Sequence, residues 1–138
     1  MSGHVAPQRQ RIESQAKALL AAHEALDKQG EDVVVVDLRS LSSVTDFFVI
    51  CTAGSSRQID ALKDHIEAVL SGQGWPVWHT EGDAAPPSRG FTLDLQWVLM
   101  DYGDLVVHVM DQKARSFYQL EQLWADAPRV PLAQAPSR

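Results

Sequence analysis

Apolar and polar positions follow more than one rhythm along the chain, and each change of rhythm marks an element. Between Arg9 and Gln29, apolar or small residues recur at Ile12, Ala16, Leu19, Leu20, His23 and Leu26. That spacing makes one stripe of an amphipathic helix, and Gly30 ends it. Val33 to Leu38 is an unbroken, β-branched run of strand length, which predicts a central strand buried on both faces. Ser40, Ser42 and Ser43 mark a turn, and Phe47 to Ala53 is a second run of the same kind. A helix starts directly after Gly54. Ser55 is a good N-cap and Gln58 follows three residues on, as in a capping box. Its buried stripe is Ile59, Leu62, Ile66, Val69 and Leu70, and Gly72 and Gly74 stop it. Trp75 to Glu81 reads as a third strand, with Pro76 placing its start at a sheet edge. Gly82 to Gly90, with Pro86-Pro87-Ser88-Arg89-Gly90, is a loop. A last helix runs from Gln112 to Asp126 with Phe117, Leu120, Leu123 and Trp124 on one side, until Pro128, Pro131 and Pro136 end regular structure.

Between that loop and the last helix lies the most informative stretch, Trp97 to Val109. Two apolar runs flank Tyr102-Gly103, the natural central pair of a tight hairpin turn, where Gly tolerates positive φ. A two-residue turn there would pair Asp101 with Asp104, Met100 with Leu105, Leu99 with Val106, Val98 with Val107 and Trp97 with His108. Side chains alternate across a strand, so two faces separate. Val98, Met100, Leu105, Val107 and Val109 form a wholly apolar face that belongs against a core. The other face carries Trp97, Leu99, Asp101, Asp104, Val106 and His108, with Tyr102 at the tip. Aromatic, aliphatic and acidic groups together suit a surface that meets another macromolecule. A half-buried hairpin under the last helix, with Trp97 against Phe117 or Trp124, accounts for the same residues. Both readings stand on the residues alone.

The sum is helix, two strands, helix, three strands, helix: a single mixed α/β domain with a five-stranded sheet flanked by helices. Residues 1–7 are expected to be a disordered lead, residues 8–127 the domain and residues 128–138 an extended tail. A chain of 138 residues builds one domain with a sizeable core. The formal net charge is −6, with no cluster of Lys and Arg, so a basic protein partner, or none, is favoured over strong direct nucleic-acid binding. Cys51 is the sole cysteine and fits a reducing compartment. No apolar stretch is long enough to span a bilayer, and Met1 to Gln10 lacks an apolar signal core, so a cytoplasmic protein without membrane contact is expected.

Candidate chemistry is thin. The strand–Gly54–Ser55–helix junction looks like the opening of a nucleotidyltransferase fold, where helix-start amides hold a phosphate. That chemistry also needs two carboxylates one residue apart on the following strand to hold metal ions, and Trp75 to Glu81 offers only Glu81. His65, His79 and His108 sit on three different predicted elements without zinc-motif spacing. Cys51 lies mid-strand in an apolar run, where a thiol pKa rises. No metal, cofactor or catalytic residue is expected, and a degenerate or active nucleotidyltransferase-like enzyme is the alternative. Arg57 points outward from the first turn of its helix, where the dipole disfavours a cation; a solvated arginine and a partner contact are the two readings of it.

Several ordered blocks carry a likeness. The segments Asp46 to Gln58, Trp97 to Val109 and Arg115 to Arg129, with Val33 to Ser43 and His79-Thr80-Glu81-Gly82, resemble the ribosomal silencing factor family, also called the iojap family, from about Leu19 to Val130. The resemblance implies a nucleotidyltransferase-like fold without the catalytic carboxylates. It implies binding to the large ribosomal subunit through its conserved ribosomal protein numbered fourteen, a block on joining of the small subunit, and repression of translation when nutrients are short. It also implies that members can form homodimers. The connection from Gly82 to Gln96 is longer than the family's usual one.

Overall fold

The computed structural model describes residues 7–82 and 95–132, with side chains from residue 13 onward. The elements run α1 (Pro7–Asp27), β1 (Glu31–Asp37), β2 (Phe47–Thr52), α2 (Ser56–Gly72), β3 (His79–Glu81), β4 (Trp97–Asp101), β5 (Leu105–Met110), α3 (Gln112–Tyr118) and α4 (Leu120–Leu123). They form the expected mixed five-stranded sheet, ordered β1-β2-β5-β4-β3. β2 and β5 are parallel, and the other neighbours are antiparallel. The expected lead lies outside the described residues apart from Pro7, which opens α1, and so do residues 83–94 and 133–138.

One face of the sheet is closed by α1 and α2. Val35, Phe47, Val49, Cys51, Val98, Met100, Leu105, Val107 and Val109 are buried there against Ile59, Leu62, Ile66 and Leu70 of α2. The cap of α2 is as the sequence predicts: Ser55 Oγ accepts from Gln58 N–H at 3.1 Å. Gln58 Oε1 reaches back to Gly54 N–H at 2.7 Å, one residue before the cap itself. α1 differs from expectation. Its buried residues are Ser14, Lys17, Ala18, Ala21, Ala22 and Ala25, while Ala16 is exposed and Leu26 is 43% exposed. Leu19, Leu20 and His23 are only half-buried, and the side chain of Ile12 is outside the described set. Four alanines at i, i+3, i+4 and i+7 let the helix axis sit close to the sheet and to α2. Ranking positions by hydrophobicity, as the sequence reading does, picks the leucines beside that stripe instead.

Four other expectations are corrected. β1 is an edge strand, not a central one. Its outer side is capped by the tail, with Asp37 N–H donating to the Pro128 carbonyl at 2.8 Å and Val130 N–H to the Val35 carbonyl at 2.9 Å. Its unbroken apolar run reflects helices and tail covering both faces. β3 spans only His79–Glu81, because Trp75 N–H is taken by the Leu70 carbonyl at the end of α2. The last helix breaks at Gln119, which adopts φ 49°. The break turns Phe117 and Leu123 out to 59% and 73% exposure, leaving Leu120 buried. The hairpin register also moves. Tyr102 N–H donates to the Leu105 carbonyl at 2.8 Å, so Gly103 and Asp104 are the central pair, with Gly103 at φ 89°. Leu99 therefore faces His108, Met100 faces Val107, and Trp97 faces Met110. Each partner shifts by two residues, which preserves the alternation.

Candidate partner-binding face

The second face of the sheet carries Phe48 and Ile50 from β2, Trp97, Leu99 and Asp101 from β4, and Val106, His108 and Met110 from β5. Register and alternation place them together. α3 and α4 close only part of it. Ile50 and Met110 are buried against Ala114 and Leu120, and Phe48 lies edge-on to Trp124 with ring centroids 6.0 Å apart. Phe48, Trp97, Leu99 and Val106 stay half-buried, with the half-buried Asp101 at one end.

The lid is anchored by Arg115, a residue the sequence reading did not single out. Its guanidinium donates to Thr52 Oγ1 at 2.7 Å, to the Asp32 carbonyl at 2.8 Å and to the Glu121 carboxylate at 2.7 Å. The salt bridge holds the Glu121 carboxyl below its ordinary range. This network fixes α3 so that Tyr118 lies against Trp97, ring centroids 4.6 Å apart. Trp97 thus packs under the last helix, as the half-buried reading expects, but on Tyr118; among the described residues it makes no ring contact with Phe117 or Trp124.

The expected site residues separate into groups. Trp97, Leu99, Asp101 and His108 share this face, but His108 is only 3% exposed. Trp97 Nε1–H donates to His108 Nδ1 at 3.1 Å, and the Phe48 ring stands edge-on to the imidazole at 4.5 Å. Burial lowers the His108 pKa to about 4, so the ring is neutral. Asp101 accepts from Gly103 N–H at 2.8 Å and braces the turn. Tyr102 is not at an exposed tip. It follows Met100 onto the helix-covered face, where it is 2% exposed and burial pushes its hydroxyl pKa up. Asp104 does not stand beside Asp101; it accepts from Lys17 Nζ at 2.9 Å on the α1 side. Arg57 is exposed in the first turn of α2, next to Ser56, whose hydroxyl donates to Gln96 Oε1 at 2.8 Å. Phe48 and Tyr118 join the face without having been singled out. Alternation within β2 separates Phe48 from Phe47, but only the β2–β5 pairing brings it to the hairpin.

A shallow concavity of about 230 Å³ borders this region, lined by Glu81, Gly82, Trp97 and Leu99. Another, about 390 Å³, lies on the α1 side between Lys17, Trp75, Trp78 and Asp104. Cys51 is in the core, where burial pushes its thiol up to about 12. Among the described residues, no group of three or more His, Cys, Asp and Glu is placed to hold a metal ion.

By architecture this is a single-domain mixed α/β protein, and a solved structure shares that architecture. The X-ray structure of a protein from Chromobacterium violaceum superposes with a TM-score of 0.70 at 30% identity, covering 89% of each chain. Over residues 11–138 the sequence matches the family described as "Ribosomal silencing factor during starvation", and the protein belongs to that family. It is 37% identical over 113 residues to the ribosomal silencing factor RsfS of Halalkalibacterium halodurans, covering 82% of this chain and 89% of the relative. It is 39% identical over 114 residues to that of Bacillus subtilis, covering 82% and 88%.

Proposed function

We propose that the protein is a non-enzymatic translation repressor of the cytoplasm. It binds the large ribosomal subunit on its conserved protein numbered fourteen and keeps the small subunit from joining when nutrients are short. Family membership supports the ribosomal role. The observation that carries the contact is the half-covered second sheet face, where Trp97, Leu99, Val106 and Phe48 leave apolar surface beside the carboxylate of Asp101. A patch of aromatic and aliphatic groups with an acidic margin complements a basic protein surface, and the net charge of −6 acts in the same sense. Arg57 is a peripheral contact in this proposal, and homodimers a second assembly of the free protein. The reading takes residues 8–127 as the domain, with a lead before it and an extended tail after it that docks on β1 through Pro128 and Val130.

Sedimentation with purified subunits tests it. The protein should co-migrate with large subunits and, at stoichiometric amounts, reduce their joining to small ones. Failure of both, with the protein folded, would refute the proposal. Metal-dependent nucleotide turnover would support the enzyme alternative instead.

A further inference from the structure

His108 shares the proposed contact face yet is too buried to touch a partner, and its two ring nitrogens are treated differently. Nδ1 accepts the Trp97 indole N–H at 3.1 Å. Nε2 is buried with no hydrogen-bond partner among the described residues. A neutral imidazole that accepts on Nδ1 carries its proton on Nε2, so the orphan atom is a buried donor. Such a donor is destabilising, and a leucine or phenylalanine in the same space would avoid it. What histidine offers there, and an apolar side chain cannot, is the acceptor for Trp97. We propose that His108 is a positioning residue: through Nδ1 it fixes the orientation of the Trp97 indole that the ribosomal partner meets. The inference rests on Trp97 being a partner contact, as proposed above.

Two consequences follow from the geometry. The indole has one polar hydrogen, and it is used within the protein. A partner therefore meets Trp97 as an apolar anchor and need not supply an acceptor. The ring is also held on more than one side, with the His108 centroid 5.7 Å and the Tyr118 centroid 4.6 Å from its own. Removing the acceptor frees the indole to turn and leaves its N–H to be stripped of water when the partner docks.

The test combines nitrogen-15 NMR of the full chain with binding to purified large subunits. In the wild type, His108 should show a proton on Nε2 and an unprotonated Nδ1, and the Trp97 indole hydrogen should exchange slowly with water. Finding the proton on Nδ1 would overturn the inference without any variant, which covers the case where substitutions in this cluster fail to fold. His108→Leu keeps the volume but removes the acceptor. It should bind at least about tenfold more weakly and expose the indole hydrogen to exchange. His108→Asn, which returns an acceptor near the Nδ1 position, should recover most of both losses. If Trp97→Ala weakens binding while His108→Leu binds like wild type, the positioning role is wrong and the contact reading stands. If Trp97→Ala binds like wild type, both fall.

Discussion

The two faces of the sheet are built from the same strands and end up covered very differently. The α1–α2 face is closed by helices of 21 and 17 residues, and the β2, β4 and β5 residues on it are fully buried. The other face is covered by α3 and α4, of seven and four residues, joined at a left-handed Gln119. Among the described residues, that lid leaves Phe48, Trp97, Leu99 and Val106 only half-buried. Scattered exposed hydrophobics carry little meaning in a folded protein, whereas a contiguous patch on a sheet does. One face is therefore committed to stability, and the other keeps surface that a partner can bury.

The sharpest way to break this contrast is to damage the closed face. Leu62→Ala should cost about 3 kcal/mol, seen as a large fall in the denaturant midpoint. The protein that remains folded should bind large subunits normally. A specific binding loss at unchanged stability would erase the distinction between the faces.

The lid comes next. Arg115→Met removes hydrogen bonds to Thr52, Asp32 and Glu121 and should cost about 2 kcal/mol. It should also change the acid limb of stability. The Glu121 carboxyl is depressed in the folded state, so its contribution is present above its unfolded pKa and is lost as pH falls through the folded one. Denaturation followed from pH 7 downward should therefore show a shallower acid loss in Arg115→Met than in wild type. An identical slope would mean that the pair does not support the lid.

On the open face, Leu99→Arg and Asp101→Arg should each weaken large-subunit binding at least tenfold, about 1.4 kcal/mol. Isothermal titration beside thermal melts would separate this from instability. Wild-type affinity for both would move the interface elsewhere. The smallest effect is expected from Asp104→Asn. Since Asp104 neutralises the 8%-exposed Lys17 on the α1 side, the substitution should lower stability by about 1 kcal/mol and leave binding unchanged. A binding defect with unchanged melting would return Asp104 to the partner face.

Much of the fold was legible because its signals are local. The Ser55–Gln58 cap and the stripe lie within one helix, and both stand in the structure, with Ile59, Leu62, Ile66 and Leu70 buried and Val69 half-buried at the stripe's edge. The sequence places the hairpin turn one residue early, yet an error of two in register keeps every paired strand residue on its side, and only Asp104, in the turn itself, moves to the α1 side. Val98, Met100, Leu105, Val107 and Val109 are accordingly all buried, while Tyr102 simply follows Met100 inward. The proposed contact face is legible as a set of residues on alternating positions, but not as a surface.

Strand identity, the inward set of the hairpin and the α2 helix were determined by the sequence itself, because alternation, helical period and capping are properties of neighbouring residues. Tertiary structure decided which side of α1 turns in, since close approach to a sheet selects alanines over leucines. It also decided how much of the second face stays open. That depends on Arg115 reaching Thr52 and Asp32, 63 and 83 positions away along the chain, a contact no local pattern encodes.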